Sequence, residues 1–307
     1  MHTAYISHDE FLKHDMGPDH PECPARIYAI KDQLIASGLF DYLNQQQAPK
    51  ASKAQLARVH SEEYIDWVFE QAPKSGLIDL DGDTLMNAYT LDASLYAAGA
   101  VVAGVDLLMA RQVNNAFCNV RPPGHHAKRE GAAGFCIFNN VAVGAAHALQ
   151  AHGLERIAIV DFDVHHGDGT EDIFKDEARV LLCSTFQHPY YPNCGADTSN
   201  EHIVNVPMSA GSDGEAFRAA VSDYWLPALE RFAPQMLFIS AGFDAHREDD
   251  MGGLALREAD YMWVTDSLKA IAAKHAQGRI VSVLEGGYAL HALGRSVMAH
   301  VKSLSDL

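Results

Sequence analysis

From about residue 115 onward, the chain alternates short apolar segments with longer segments of helical character. Short apolar runs bounded by polar clusters are typical of strands buried on both faces. Strands that alternate with helices predict an α/β fold with a mainly parallel sheet and helices on both faces. The predicted strands are 115–120, 157–160, 179–184, 236–240 and 279–284. The predicted helices are 139–152, 170–174, 214–232 (interrupted near Pro227), 257–275 and 289–304.

Polar clusters directly follow four of the predicted strands. Ligands of parallel α/β sheets bind outside the carboxyl ends of the strands, which lie at one edge of the sheet. We therefore expect the four clusters to meet in a single site. The clusters are 121–127, 161–170, 241–246 and 285–288.

The second cluster has the sequence DFDVHHGDGT and follows an apolar run at 156–160. Side chains alternate between faces in an extended segment, so Asp161, Asp163 and His165 are expected to point the same way. Buried charges are costly unless they are paired or bind a metal. The pattern favours a divalent-metal site. The alternative is a salt-bridged acid–histidine cluster that braces the sheet.

We predict Asp163, His165 and Asp244 as the metal ligands. A catalytic zinc ion takes three protein ligands and keeps one position for water. Two carboxylates and one imidazole meet that requirement. The same oxygen-rich set also suits Fe(II) or Mn(II), so the sequence leaves the metal open.

The adjacent His125 and His126 lie in the segment RPPGHHA. Chemistry with a metal-bound water needs a base for its proton and an acid for the leaving group, and imidazole can serve as either. Asp161 and Asp168 are the predicted partners, because a carboxylate behind an imidazole fixes its tautomer. The alternative is a structural or surface histidine pair.

Aromatic residues complete the predicted site. Tyr288 follows two glycines that allow close backbone approach, and its hydroxyl is predicted to donate to a developing oxyanion. Gly134, Phe135 and Tyr191 are predicted to form a slot for a slender alkyl chain. The alternative for these aromatic residues is an ordinary place in the core.

Composition narrows the class of protein. The net charge of −17 disfavours nucleic acid and favours small cations as partners, although acidity also serves solubility. The five cysteines form no CxxC pair, which indicates free thiols in a reduced compartment.

We expect a single domain over 1–307, no signal peptide, no membrane span and a cytoplasmic location. Segment 93–110 is the most apolar, and its acidic and small residues favour a packed helix.

Taken together, the motifs resemble the histone deacetylase superfamily, which includes bacterial histone deacetylase-like amidohydrolases and acetylpolyamine amidohydrolases. The resemblance covers nearly the whole chain, and the motifs occur in the order of the family. They are GPDHPECPAR at 17–26, RPPGHHA at 121–127, GFCIFNN at 134–140, the cluster at 161–170, SAGFD at 240–244 and EGGY at 285–288.

The resemblance implies an arginase-like fold with a central parallel sheet of eight strands and a zinc ion on the three ligands named above. It implies tandem catalytic histidines with aspartate partners, a carbonyl-polarising Tyr288, and a substrate channel walled by Phe135 and Tyr191. It places Arg26 and Gly286 at an internal acetate pocket. It also implies a structural potassium ion on Ser184 together with Asp161, Asp163 and His165.

Two departures from relatives concern the substrate. Asp168 stands where many relatives have asparagine, and an acid there favours the charged form of its histidine. Met251 is expected at the gatekeeper position of the substrate channel, where a spermidine-selective relative has glutamate. The neighbouring Glu248, Asp249 and Asp250 are expected to be available to a distal ammonium group.

The expected reaction is the hydrolysis of an acetylated primary amine, with acetate as product. The preferred substrate is a small cationic acetylpolyamine, and protein N-acetyllysine is the alternative. A non-catalytic acetyl-amine binder and an arginase-like hydrolase are more distant alternatives. The arginase-like hydrolase needs a second, bridging set of metal ligands. The chain is expected to pair as a homodimer, with the 73–90 and 187–200 loops rimming the mouth of the site.

Overall fold

The computed structural model describes residues 3–307 and is built around an eight-stranded sheet in which every neighbouring pair is parallel. The strands are β1 (Thr3–Ser7), β2 (Asn44–Gln47), β5 (Asn115–Cys118), β6 (Ile157–Asp161), β7 (Val180–Gln187), β8 (Ile203–Met208), β9 (Met236–Ala241) and β10 (Ile280–Leu284), with β3 (Ile78–Asp79) and β4 (Leu85–Met86) in a separate antiparallel hairpin. The helices are α1 (Ala25–Ala36), α2 (Lys53–Leu56), α3 (Glu62–Gln71), α4 (Thr90–Met109), α5 (Asn140–His152), α6 (Asp168–Phe174), α7 (Gly214–Ala220), α8 (Leu226–Phe232), α9 (Glu258–His275) and α10 (Leu290–Leu304).

Helices cover both faces of the sheet, as neighbouring residues of β10 demonstrate. The side chain of Val281 faces Gly104 of α4, whereas the Ser282 hydroxyl lies 2.8 Å from Nε2 of His300 on α10. Successive strand residues point to opposite faces, so α4 and α10 lie on opposite sides. The predicted fold class, a parallel α/β sheet of eight strands between helices, is confirmed.

The strand order is β2-β1-β5-β10-β9-β6-β7-β8. The four strands that precede the polar clusters (β5, β10, β9 and β6) are therefore adjacent at the centre of the sheet. All four clusters leave the sheet from the same edge, where parallel strands present their carboxyl ends.

Three sheet strands lie outside the predicted set. They are β1, β2 and β8, and β2 has the sequence Asn-Gln-Gln-Gln at the outer edge of the sheet. Residues of this kind have low strand propensity, so only the pairing with β1 makes this segment a strand.

The predicted break in 214–232 occurs just before Pro227, at a π-helical segment, Val221–Trp225. Pro227 lies just after this segment, where the regular α-helical hydrogen-bond pattern is already interrupted.

Helix α4 is long and apolar enough to cross a membrane by length and composition, but 67% of its most apolar window is buried inside the protein. It packs against α5 and the sheet, as a core helix does.

The five cysteines are all free thiols, as predicted.

His300 links acidity to stability. It is fully buried, with Nδ1 2.7 Å from Thr265 Oγ1, and burial lowers its pKa to about 3. The unfolded chain takes up this proton below about pH 6.5 and the folded chain does not, so stability falls as the pH falls through that window. We expect His300 to account for about 2 kcal/mol of the loss of unfolding free energy between pH 7 and pH 5.

Urea unfolding of the wild type and His300→Gln at both pH values measures this contribution. The exposed His291 supplies the matched control, His291→Gln. Equal acid sensitivity in all three proteins would contradict the assignment.

Candidate active site

Asp163, His165 and Asp244 come together at the carboxyl edge of the sheet. Their candidate donor atoms all lie within 4.8 Å of one another, and all three residues are buried. Asp163 and His165 lie in the loop after β6, and Asp244 lies in the loop after β9. The structure thus assembles the predicted ligand group from two neighbouring strands.

The donor atoms of this group fit a divalent cation. His165 Nδ1 lies 3.0 Å from Asp163 Oδ1 and 3.3 Å from Asp244 Oδ2. Asp244 Oδ1 accepts a hydrogen bond from the Val164 amide, but Oδ2 is buried with no hydrogen-bond partner among the described residues. A buried carboxylate oxygen without a donor is costly, and a cation bound there would remove that cost.

Two glycines make room for these carboxylates. A Cβ on Gly286 would collide with the carboxylates of Asp244 and Asp163, and one on Gly242 would collide with Asp163. The Gly286 amide also donates to Asp163 Oδ2 at 2.9 Å. Glycine is required at both positions because backbone and carboxylate share the same space.

The pKa values of the group reflect its excess of negative charge. Burial, followed by the charge of Asp163, raises the pKa of Asp244 to about 7. Burial opposes the charged form of His165, but the hydrogen bond to Asp163 and the nearby negative charge of Asp244 outweigh it and raise the pKa of His165 to about 10. The three residues therefore retain a proton near neutral pH. A divalent cation bound to them would take the place of that proton as the source of positive charge.

The tandem histidines each contact one of their predicted partners. His125 Nδ1 lies 2.9 Å from Asp161 Oδ2, and His126 Nδ1 lies 2.8 Å from Asp168 Oδ1. The backbone amide of His125 donates to Glu285 Oε2 at 3.1 Å, which ties the histidine loop to the end of β10. Asp161 therefore faces His125 and lies outside the three-residue ligand group.

The two histidines differ in charge. Burial disfavours charge on His125, but Asp161 and Asp163 raise its pKa well above the ordinary value. Burial and the charge of His125 lower the pKa of His126 to about 3, although Asp168 acts in the opposite direction. Lys128 Nζ also lies 2.9 Å from Asp168 Oδ2, so Asp168 is shared between the neutral His126 and the charged Lys128.

Arg26 packs against the ring of Tyr288. Its guanidinium lies 4.9 Å from the centre of the Tyr288 ring, and Nε donates to the Gly287 carbonyl at 2.7 Å. The same guanidinium contacts the buried Glu22 at 3.1 Å. Gly286 lines the cavity beside Tyr288, and the proposed acetate pocket at Arg26 and Gly286 stays a prediction.

A narrow cavity, with a volume of about 140 Å³, opens onto this group of residues. All four predicted channel residues line it, and so do three residues absent from the predicted site: Asp83, Pro123 and Tyr190. The complete lining is Asp83, Pro123, His125, His126, Gly134, Phe135, His165, Tyr190, Tyr191, Met251, Gly286 and Tyr288.

Asp83 is the charged residue that the predicted site omitted. It is exposed, lines the cavity, and follows the β3 strand in the acidic segment 79–83. Its neighbour Thr84 accepts a hydrogen bond from the Phe135 amide at 3.1 Å, which joins this loop to the channel wall. The density of aspartates in a loop expected to rim the mouth was the available signal.

The expectation that Asp249 is available to a substrate ammonium is wrong. Asp249 is 5% exposed and accepts hydrogen bonds from backbone amides of the Tyr288 loop. Glu248 forms an ion pair with Arg295 at 2.9 Å. Asp250 is exposed but does not line the cavity.

The predicted potassium ligands lie near one another. Ser184 of β7 pairs in register with Asp161 of β6, and its hydroxyl lies 3.3 Å from His166 Nδ1. This arrangement places the hydroxyl beside the segment that carries the other predicted ligands. The potassium site remains a prediction.

A second acid–histidine group, between α4 and α5, is better explained as an ion-pair cluster. His147 and His152 both direct Nε2 at Asp106 Oδ1, at 2.8 and 2.7 Å. Arg58 Nη1 lies 2.7 Å from His147 Nδ1 and must donate to it, so the proton of a neutral His147 lies on Nε2, where it points at the carboxylate. Among residues 3–307, this group and the one at the cavity are the two candidate metal groups. The group between α4 and α5 does not line the cavity, so it is not a bridging set of the kind an arginase-like hydrolase needs.

The eight-stranded parallel sheet, with the site at its carboxyl edge, is consistent with the arginase-like α/β fold. The histone deacetylase domain matches residues 20–304. A probable deacetylase of Archaeoglobus fulgidus is 38% identical over 298 residues, covering 94% of this chain and 82% of the relative. Human polyamine deacetylase HDAC10 is 36% identical over 325 residues, covering 99% of this chain and 48% of its own length. The crystal structure of the HDA15 HD domain superposes with a TM-score of 0.93 at 34% identity, covering 99% of this chain and 90% of that chain.

The chain belongs to the histone deacetylase family, and it is a hydrolytic deacetylase. The resemblance drawn from the motifs is thus confirmed, and the alternative of a non-catalytic binder is set aside.

Proposed function

We propose that this deacetylase is a zinc-dependent amidohydrolase that removes acetyl groups from small cationic amines of the acetylputrescine and acetylcadaverine type. The observation that carries the proposal is the convergence of the Asp163, His165 and Asp244 donor atoms within 4.8 Å, beside a cavity lined by paired histidines and Tyr288. Metal ligands, a base and an oxyanion donor are the parts that amide hydrolysis needs.

Asp163, His165 and Asp244 would hold the zinc ion, which when bound supplies Lewis acidity at the acetyl carbonyl and a water of lowered pKa. The buried, unpartnered Asp244 Oδ2 supports this assignment. The remaining steps belong to the side chains around the cavity.

His126 is the proposed base and acid. Its Nδ1 is engaged by Asp168, so Nε2 is the nitrogen that takes the proton from the attacking water. The same proton then passes to the amine nitrogen as the carbon–nitrogen bond breaks, and acetate is left. His125 remains charged beside Asp161 and stabilises the negative charge that develops on the substrate. The hydroxyl of Tyr288 donates to the oxyanion.

The cavity suits an alkyl chain that ends in a cation. Phe135 and Tyr191 give it aromatic walls, and Asp83 contributes a carboxylate to the same lining. The net charge of −17 attracts cations to the whole molecule. The similarity to a human protein named as a polyamine deacetylase supports the same choice.

Protein N-acetyllysine is the second candidate substrate, favoured by the histone deacetylase domain itself. Comparing kcat/KM for N-acetylputrescine, N-acetylcadaverine and an acetyl-lysine peptide separates the two. We expect the small amines to be the better substrates. A peptide turned over with the higher kcat/KM would favour the second candidate.

Asp83→Asn tests the ammonium site. We expect KM for N-acetylcadaverine to rise about three- to fivefold, because a solvent-exposed ion pair contributes about 1 kcal/mol or less. N-Acetylpentylamine, which has a similar length and no charge, is the matched control and should respond less than about twofold. Equal responses for the two substrates would exclude a charge-specific role for Asp83.

The proposal also includes a potassium ion near Ser184 and Asp161, a cytoplasmic enzyme and a homodimer. In the proposed dimer, the partner subunit would narrow the mouth of the cavity at the loops that carry Asp83 and Tyr191, both of which line the cavity. Light scattering of the purified protein tests the dimer.

A further inference from the structure

We propose that Asp249 is a positioning residue that fixes the Tyr288 hydroxyl and the Met251 wall of the cavity through one carboxylate. The inference rests on the proposed function, because it assigns Asp249 a role in the same reaction. Asp249 lies in the loop after β9, five residues beyond the predicted ligand Asp244.

The carboxylate of Asp249 joins two sides of the cavity. Oδ2 accepts hydrogen bonds from the backbone amides of Tyr288 at 2.6 Å and Ala289 at 2.9 Å. Oδ1 accepts a hydrogen bond from the Met251 amide at 3.0 Å. Tyr288 and Met251 both line the cavity, so a single side chain holds two separate parts of its wall.

The burial of Asp249 indicates that these three amides are its main partners. It is 5% exposed, and no lysine, arginine or histidine nitrogen in residues 3–307 lies within 4.0 Å of it. A buried carboxylate without a cationic partner depends on backbone N–H donors for its stabilisation. The amino end of α10, whose residue Ala289 has no side-chain cap of its own, adds a favourable dipole.

The Tyr288 loop needs such a restraint. Gly286 and Gly287 precede the tyrosine, and Gly287 has a φ of +124°, so the local backbone has wide conformational freedom. Arg26 contacts the face of the Tyr288 ring and donates to the Gly287 carbonyl, but neither contact engages the Tyr288 amide. The Asp249 hydrogen bonds restrain the backbone directly, and an oxyanion donor must be placed to a fraction of an ångström.

Asp249→Asn tests the role, since it keeps the shape and replaces one acceptor oxygen with a donor. We expect kcat to fall about tenfold or more with KM changed less than about threefold, because the loss concerns the transition state. Bound metal per chain should stay at the wild-type value. The exposed neighbour Asp250 supplies the control, Asp250→Asn, for which we expect wild-type kinetics.

A double-mutant cycle with Tyr288→Phe distinguishes positioning from general support. If Asp249 acts through the tyrosine hydroxyl, Asp249→Asn should lower kcat less than about twofold in the Tyr288→Phe background. Equal losses in both backgrounds, or wild-type kcat in Asp249→Asn, would overturn the proposal. Should the asparagine variant fail to fold, Asp249→Glu serves instead, because its longer side chain displaces the carboxylate and should also lower kcat.

Amide hydrogen exchange gives a readout that does not depend on activity. We expect faster exchange at Tyr288 and Ala289 in Asp249→Asn and unchanged exchange in β10, the strand before the loop. An enzyme inactive on every acetylated amine would refute the proposed function, yet the exchange result would still test the restraint. Unchanged exchange at both amides would refute the restraint alone.

Discussion

Asp244→Asn is expected to lower deacetylation at least about a thousandfold and to reduce bound metal well below one ion per chain. The physical reason is that Asp244 Oδ2 is a buried oxygen with no hydrogen-bond partner among the described residues, so metal binding is its proposed purpose. A metal acting as a Lewis acid contributes several kcal/mol to the transition state, and about 4 kcal/mol corresponds to about a thousandfold in rate.

The measurement pairs metal analysis with an acetate-release assay. The wild type is stripped with a chelator and reloaded with zinc, Fe(II) or Mn(II), which also identifies the metal that supports turnover. Reloading should restore the wild type and leave Asp244→Asn inactive, while the exposed Asp250→Asn behaves as wild type. A metal-free wild type with full activity would end the metal hypothesis.

Tyr288→Phe is expected to lower kcat about a hundredfold to a thousandfold with little change in KM. The hydroxyl is proposed to donate only to the oxyanion, and loss of one such donor typically costs about 3 to 4 kcal/mol in the transition state. Arg26 lies 4.9 Å from the Tyr288 ring and should keep a phenylalanine in place, so the change isolates the oxygen.

Steady-state kinetics and metal content together check this result. Metal content should be unchanged, which separates the loss from that of Asp244→Asn. Tyr224→Phe, at a tyrosine 57% exposed, controls for the chemistry of the substitution. Full activity in Tyr288→Phe would show that the oxyanion is stabilised by other groups.

These two variants together test the central assignment of the site. The Asp244 change removes a charge from the buried ligand group, and the Tyr288 change removes a single hydroxyl from a residue that lines the cavity. Loss of both metal and turnover in the first, and of turnover alone in the second, is the pattern expected for a metal-dependent hydrolase.

Local sequence predicted the fold class and most of the candidate site. The apolar runs before the clusters at 161–170 and 241–246 are strands. Short apolar runs of this length suit a strand that is buried on both faces, whatever its position in the strand order. The carboxyl ends of parallel strands share an edge whatever the strand order, so the positions of Asp163, His165 and Asp244 followed from their places in the sequence.

Other features depended on contacts between distant segments. Strand β2, with the sequence Asn-Gln-Gln-Gln, forms through pairing with β1. Asp83 reaches the cavity from a hairpin outside the main sheet. Asp249 looked like a free surface acid, but the fold buries it against the Tyr288 loop, 39 residues further along the chain.

The sequence by itself determined which chemical groups stand at the ends of the strands, because hydrophobic burial and strand direction are local properties of the chain. Only the tertiary structure decided that β5, β10, β9 and β6 are neighbours, and which acid pairs with each histidine. Hydrogen bonds and pKa values depend on distances of a few ångströms between residues far apart in sequence, and those distances are set by packing of the whole fold.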